Sequence, residues 1–156
     1  MDTSIWAWLD PFGLIFLVGI LIPNLIYAFR RPEGFESGWH CRPLEIMEQA
    51  GRIGCTAFMV LHFPGTGWGF ASQGAFVTYL IGNAALVGAY CLVWAVCFRR
   101  PSKFRAWALS VLPSAAFLLS GILEHHLLLT LSALIFAPCH IFLSVILKSN
   151  KTLRFY

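Results

Sequence analysis

Five stretches of mostly apolar residues follow one another along the chain, separated by short polar segments. Each is close to the roughly 20 residues that an α-helix needs to cross about 30 Å of hydrocarbon. The pattern predicts an all-α integral membrane bundle of five transmembrane helices, with spans at about 12–29, 44–63, 75–98, 105–123 and 127–147. Because little chain remains outside the spans, we expect one membrane domain over residues 1–156 and no separate soluble domain.

The composition and the placement of basic residues extend this prediction. Of the 156 residues, 58% are hydrophobic and only 12% are charged. All Lys and Arg residues except Arg52 lie between spans one and two, between spans three and four, or after span five. Because positive charge is retained in the cytoplasm, we expect the amino terminus outside and the carboxyl terminus in the cytoplasm. The protein is then a multi-pass protein of the cell (inner) membrane, with the lipid bilayer around it.

The second span contains charged residues at membrane depth, and this is the most informative feature of the chain. A charge there costs roughly 2.5–3.5 kcal/mol on insertion scales, so such residues are functional-site candidates by default. Glu48 and Arg52 are spaced i, i+4 with the acid first, which favours an ion pair. Glu45 lies in the first helical turn, where a carboxylate complements the helix dipole, and Gln49 continues the same polar stripe. This stripe must face the bundle interior or a watery cavity.

Polar residues from three spans fall at a similar depth in the cytoplasmic half. Counted at the helical rise, Asn24 lies about 8 Å, His140 about 11 Å and Arg52 about 12 Å from the cytoplasmic ends of their spans. Together with Glu48 they form the predicted ligand-binding site. Arg52 is suited to hold a phosphate or carboxylate, Glu48 to orient Arg52 or accept a proton, and His140 to titrate near neutral pH. The alternative is that Asn24 and His140 only make hydrogen bonds between helices.

Residues elsewhere in the spans are secondary candidates or have structural roles. Tyr79 and Asn83 align on one face of the third span, and Glu45 and Gln49 complete the secondary set. A single interhelical hydrogen bond is the stronger interpretation for Asn83. Pro23 lies inside the first span and leaves the carbonyl group of Gly19 for another donor.

A second polar cluster maps to the outer surface, at the ends of spans two, four and five. Its members are His62, Glu124, His125 and His126. Imidazole and carboxylate groups are plausible ligands for zinc or copper, and two histidines can also ligate haem. However, residues 124–126 form a tight turn, where exposed polar side chains are expected in any case, and no known ligand spacing is present. We therefore predict no metal and no cofactor, and keep haem or zinc/copper at this cluster as an alternative.

These features predict a small polytopic membrane protein that binds or translocates a small anionic or amphiphilic ligand. A basic face on a soluble fold is absent, which excludes nucleic acid as a partner. The first alternative is an intramembrane enzyme that modifies lipids with Glu48 or His140 as acid and base, although the non-enzyme interpretation is favoured. The second is a structural or regulatory subunit of a larger membrane complex. A homodimer, or an assembly with another membrane subunit, is compatible with these features.

Overall fold

The computed structural model describes residues 8–30, 41–63, 69–97 and 102–152, with side chains described as far as position 144. Within these ranges the chain forms five α-helices, and the only strand pairing is an isolated bridge, which confirms the predicted all-α class. The helices are α1 (Pro11–Arg30), α2 (Arg42–Phe58), α3 (Gln73–Cys97), α4 (Lys103–Leu123) and α5 (Leu127–Thr152). Part of the basic set behind the predicted orientation lies outside the described residues: Arg31, Arg99, Arg100 and Arg154.

Four helices are long and apolar enough to cross a membrane, namely α1, α3, α4 and the Leu127–Ser144 part of α5. The fifth, α2, is not in this group, because its 17 residues include four charged side chains. At 1.5 Å per residue it is about 25 Å long. The described chain thus contains four candidate membrane spans and one amphipathic helix.

Helix α4 lies at the centre of the bundle, packed between α3 and α5, and buried side chains recur along its whole length. Helix α1 packs mainly on α3, and α2 packs mainly on α5. Helices α1, α3 and α5 begin at one end of the bundle, where α2 and α4 end. We call this the Asp10 end and the opposite one the Arg30 end.

Two glycines of α2 allow its close approach to α5. A Cβ atom added at Gly51 would lie 2.8 Å from the backbone nitrogen of Phe136, and one added at Gly54 would lie 2.9 Å from Cβ of Ser132. Any larger side chain would push the two helices apart. The two glycines therefore set the short distance between α2 and α5.

The predicted second span extends too far at its carboxyl end. Helix α2 ends at Phe58, and the chain beyond it pairs with the segment before α1. Asp10 N donates to Val60 O at 2.8 Å, and His62 N donates to Trp8 O at 2.9 Å. The apolar character of this segment therefore reflects a short paired stretch at the Asp10 end and not a continued helix.

The expected effect of Pro23 on its own helix is confirmed. The carbonyl oxygen of Gly19 accepts a hydrogen bond from Cys91 Sγ of α3 at 3.5 Å. A Cβ atom at Gly19 would lie 2.7 Å from a methyl group of Val87, so the glycine also permits close packing of α1 on α3. The proline and the glycine together hold α1 against α3.

Candidate functional site

Glu48 connects two other residues of the predicted site. Arg52 Nε donates to Glu48 Oε1 at 3.1 Å, and Arg52 Nη2 contacts the same oxygen. His140 Nδ1 of α5 lies 2.9 Å from that oxygen. The i, i+4 spacing on α2 accounts for the first contact, and the close packing of α2 on α5 accounts for the second. We call Glu48, Arg52 and His140 the polar triad.

The three members of the polar triad differ in exposure. The side chain of Glu48 is 7% exposed, that of His140 20% and that of Arg52 49%. A carboxylate only accepts hydrogen bonds, so His140 Nδ1 carries the hydrogen and donates it to Glu48. The His140 ring also stacks on Phe136, with ring centroids 4.6 Å apart. Its second nitrogen, Nε2, makes no hydrogen bond with the residues that the structure describes.

A cavity of about 480 Å³ lies beside the polar triad and is lined by residues of all five helices. We call it the cleft. Arg52 lines it from α2, His140 from α5 and Asn24 from α1. Most of the remaining lining is apolar or aromatic, for example Leu17, Tyr27, Trp94, Leu109 and Phe117. The structure thus brings three predicted site residues to one cavity and holds Glu48 behind two of them.

Asn24 occupies the wall of the cleft opposite α2. Tyr90 Oη donates to Asn24 Oδ1 at 2.9 Å, and Asn24 Nδ2 donates to the Ile20 carbonyl oxygen at 3.1 Å. These two bonds fix the plane of the amide and use one of its two N–H groups. The second N–H has no acceptor among the residues that the structure describes, and it belongs to a side chain on the cleft wall.

Helices α1 and α2 form facing walls of the cleft. They are joined at the Asp10 end by the backbone hydrogen bonds between residues 8–10 and 60–62. Toward the Arg30 end, Leu21, Asn24 and Ala28 line the cleft from α1, while Arg52 lines it from α2. The two helices are therefore closed on each other at one end and separated by the cleft toward the other.

The secondary candidates do not line the cleft. Glu45 is partly buried and Gln49 is exposed on α2. Asn83 Nδ2 donates to the Tyr79 carbonyl oxygen at 3.0 Å, and Ser120 Oγ of α4 donates to Asn83 Oδ1 at 3.2 Å. This is the interhelical bond expected of Asn83, and it lies in the half of the bundle nearer the Asp10 end.

A second polar group, which we call the end cluster, lies at the Asp10 end and consists of Asp10, His62, Tyr79, Glu124 and His126. His62 Nε2 lies 3.5 Å from Glu124 Oε2, and Tyr79 Oη donates to Asp10 Oδ2 at 3.0 Å. The rings of His62 and His126 meet edge to face, with centroids 5.0 Å apart. One residue from each helix or its flanking segment therefore enters the cluster.

The expectation that residues 124–126 are exposed turn residues is wrong for two of them. Glu124 is 2% exposed and His126 is fully buried, while His125 is exposed. The length and polarity of the turn do not predict this burial, because residues distant in sequence, Asp10 and Tyr79, lie near Glu124. An acidic residue just before α1 and a tyrosine at the same depth in α3 were the available signals.

The end cluster is poorly suited to a metal ion. Among the described residues, no group of three or more His, Cys, Asp or Glu side chains is arranged to hold one. His126 Nδ1 accepts a hydrogen bond from Leu129 N at 3.1 Å, so Nε2 carries the hydrogen in the neutral ring and cannot ligate. Of the outer candidates, His62 and Glu124 are thus the only two in ligating proximity to each other within the described chain.

Burial and neighbouring charges shift the titration of the end cluster. Burial raises the pKa of Glu124, and the neighbouring His62 imidazole opposes this rise. The Glu124 carboxylate raises the pKa of His62, which burial alone would lower. Burial lowers the pKa of His126, and the charge on His62 lowers it further. Deprotonated Glu124 and protonated His126 are therefore the disfavoured forms.

The two polar groups support different chemistry. Arg52, His140 and Asn24 present N–H groups around an apolar cavity, an arrangement that suits an acceptor-rich ligand. The end cluster pairs a buried carboxylate with an imidazole, an arrangement that suits proton exchange.

Comparisons of the chain with protein-family models, with curated proteins and with solved structures gave no match.

Proposed function

We propose that the protein binds a small anionic or amphiphilic ligand in the cleft and mediates its translocation. The observation that carries this proposal is the surplus of hydrogen-bond donors on the cleft walls. A guanidinium group has five N–H donors, and Arg52 directs two of its nitrogens at Glu48, which leaves N–H groups for a ligand. Asn24 contributes one further N–H from the opposite wall. Carboxylate and phosphate oxygens are the acceptors that such donors bind best.

Charge balance in the polar triad suggests how a negative ligand is accommodated. The carboxylate of Glu48 neutralises Arg52 and lies behind it, away from the cleft lining. An anion bound at Arg52 adds one negative charge, which the remaining N–H groups of Arg52 and the N–H group of Asn24 stabilise by hydrogen bonds.

The apolar lining favours a ligand with a hydrophobic portion. A volume of about 480 Å³ is within the roughly 300–1,000 Å³ typical of small-molecule sites. Leu109, Phe117 and Trp94 provide apolar and aromatic surface in the cavity that Arg52 also lines. An amphiphile would place its anionic group between α1 and α2 and its hydrophobic part against α3 and α4.

We further propose that α2 is a fifth membrane span, in addition to the four apolar helices. It lies antiparallel to α5 from the Glu48–His140 contact to the Phe58–His126 contact. Glu48 contacts α5 and Arg52 lines the cleft, which relieves the cost of placing these two charges in a membrane span. The amino terminus is outside and the cleft lies in the cytoplasmic half of a cell membrane, in keeping with the basic residues near the Arg30 end.

Native mass spectrometry of the gently solubilised protein tests the binding site. We expect a discrete bound mass on the wild-type protein. On Arg52→Ala we expect the occupancy to fall by a factor of about ten or more, because charge-assisted hydrogen bonds contribute roughly 1.5–3 kcal/mol. Gln49→Ala is the matched control, since Gln49 is exposed on the same helix and does not line the cleft. It should retain the bound mass.

The outcomes separate ligand binding from a structural role. Equal occupancy on all three proteins would place the ligand elsewhere and contradict the proposal. An unliganded mass for all three, together with a membrane protein that co-purifies in fixed ratio, would favour the role of a structural or regulatory subunit. Where a ligand is released, titration with inorganic phosphate and with an anionic single-chain lipid distinguishes recognition of the head group alone from recognition of the amphiphile.

The Glu48–His140 contact favours a second candidate function, acid–base chemistry on a lipid. A carboxylate that accepts from Nδ1 orients an imidazole and raises its basicity at Nε2, and His140 lines the cleft. Incubation with labelled lipid extract would reveal a product of changed mass that His140→Ala and Glu48→Gln both abolish. Retention of ligand binding without any product would assign the triad to binding alone.

A further inference from the structure

The end cluster contains buried polar atoms that the proposed ligand site does not use. Neither carboxylate oxygen of Glu124 has a hydrogen-bond partner within the described parts of the chain, and the same is true of His126 Nε2. Both residues are more than nine-tenths buried. A buried carboxylate without hydrogen bonds is strongly disfavoured in its charged form. The site is therefore complete only with a positive charge or a proton on this group.

The groups that face Glu124 come from every neighbouring element. Asp10 precedes α1, His62 follows α2, Tyr79 belongs to α3 and His126 precedes α5. His62 is the only one of the four that can become a cation beside Glu124 without losing a hydrogen bond, because His126 already accepts at Nδ1. The hydroxyl hydrogen of Tyr79 is directed at Asp10. A proton shared between His62 and Glu124 is thus the simplest way to satisfy the buried carboxylate.

We propose that the His62–Glu124 pair is a proton-binding site whose proton holds the Asp10 end of the bundle closed. With the proton present, the pair is either an ion pair or two neutral groups, and the end cluster carries the single negative charge of Asp10. When the proton leaves, Glu124 becomes a carboxylate beside neutral His62, and Asp10 is a second carboxylate near it. Tyr79 directs its hydroxyl hydrogen at Asp10. Repulsion between the carboxylates then favours separation of the helix ends.

The sign of the expected pH dependence follows from the two raised pKa values. A group whose pKa is higher in the folded, closed form stabilises that form below its unfolded pKa and ceases to do so as pH rises through the raised value. Both Glu124 and His62 behave in this way. The Asp10 end should therefore be closed at mildly acidic to neutral pH and loosen at alkaline pH. This inference does not depend on the proposed ligand.

Hydrogen exchange of two backbone amides reports directly on closure. The amides of Asp10 and His62 donate across the α1–α2 junction, to Val60 and Trp8. The amide of Ala106, bonded to Ser102 at the Arg30 end, is the internal control. After correction for intrinsic rates, we expect protection of the two junction amides relative to Ala106 to fall about tenfold for each unit by which closure raises the pKa of the pair.

Two variants separate this mechanism from general loosening at high pH. Glu124→Gln keeps the size of the side chain but cannot lose a proton, so its junction amides should stay protected at alkaline pH. Asp10→Asn retains an acceptor for Phe12 N and for Tyr79 and removes only the charge. Because the charge of Asp10 raises the pKa of both Glu124 and His62, this variant should show a smaller loss of protection that is complete at lower pH, and it remains informative where Glu124→Gln does not fold. Constant protection in the wild-type protein, or an unchanged pH profile in either folded variant, would overturn the proposal.

Discussion

His140 Nδ1 lies 2.9 Å from the Glu48 oxygen that also accepts from Arg52. A single carboxylate oxygen thus links a histidine of α5 to an arginine one turn further along α2. The position of the guanidinium at the cleft therefore depends on how α2 packs on α5. Substitutions at the α2–α5 contact should therefore alter the position of the Arg52 guanidinium in the cleft, even where the substituted residue does not line the cleft.

Removal of this shared acceptor should destabilise the protein. In Glu48→Ala, His140 Nδ1 and Arg52 both lose a partner, and we expect the free energy of unfolding to fall by about 1–3 kcal/mol. The loss should be smaller than for a fully buried pair, because the half-exposed guanidinium is partly solvated. Thermal unfolding in detergent measures it. If Glu48→Ala is as stable as the exposed-site control Gln49→Ala, the triad makes no net contribution to stability.

The helices and their order were predictable from hydropathy, because apolar length is a property of contiguous sequence. Where the prediction was wrong, local pairing decided the structure. The predicted second span included residues 59–63, whose apolar side chains belong instead to a paired segment against residues 8–10. Composition cannot distinguish these two cases, since both bury apolar residues.

The sequence predicts the depth of the candidate site residues along their helices, but it does not predict which neighbouring helix each side chain faces. Helical rise placed Asn24, Arg52 and His140 in one layer, and all three line one cavity. Which helix faces which is not contained in a single hydropathy profile, so the contact of Glu48 with α5 became known only from the structure. The burial of Glu124 was missed for the same reason, because it depends on residues of α1 and α3.

The glycine contact between α2 and α5 predicts opposite effects for two equivalent substitutions. Gly51→Ala places a Cβ atom 2.8 Å from the Phe136 backbone, and the helices must separate, at a cost of about 1–3 kcal/mol. Gly88→Ala adds the same group where nothing lies within 4 Å, and helix propensity should stabilise it by up to about 1 kcal/mol. Melting temperatures of the two variants should bracket the wild-type value. A stable Gly51→Ala protein would contradict the observed packing distance.

Asn83 should contribute to stability and not to ligand binding. Its amide joins α3 to α4 through Ser120, and it does not line the cleft. We expect Asn83→Ala to lower stability by roughly 0.6–2 kcal/mol, the range for hydrogen bonds between membrane helices. Ligand occupancy by native mass spectrometry should remain at the wild-type level. A loss of occupancy equal to that of Arg52→Ala, in a folded protein, would extend the site to the Asp10 half of the bundle.

Acid sensitivity of the fold should depend on His126. Burial lowers the pKa of this side chain from 6.5, and the charge on His62 lowers it further. A histidine with a lowered pKa stabilises the fold above its unfolded value and loses this contribution as pH falls through the folded value. His126→Asn keeps a side-chain acceptor for Leu129 N at the start of α5 and cannot take up a proton. Its melting temperature should therefore decline less than that of the wild type between neutral and mildly acidic pH. Parallel declines in the two proteins would assign the acid sensitivity to other groups.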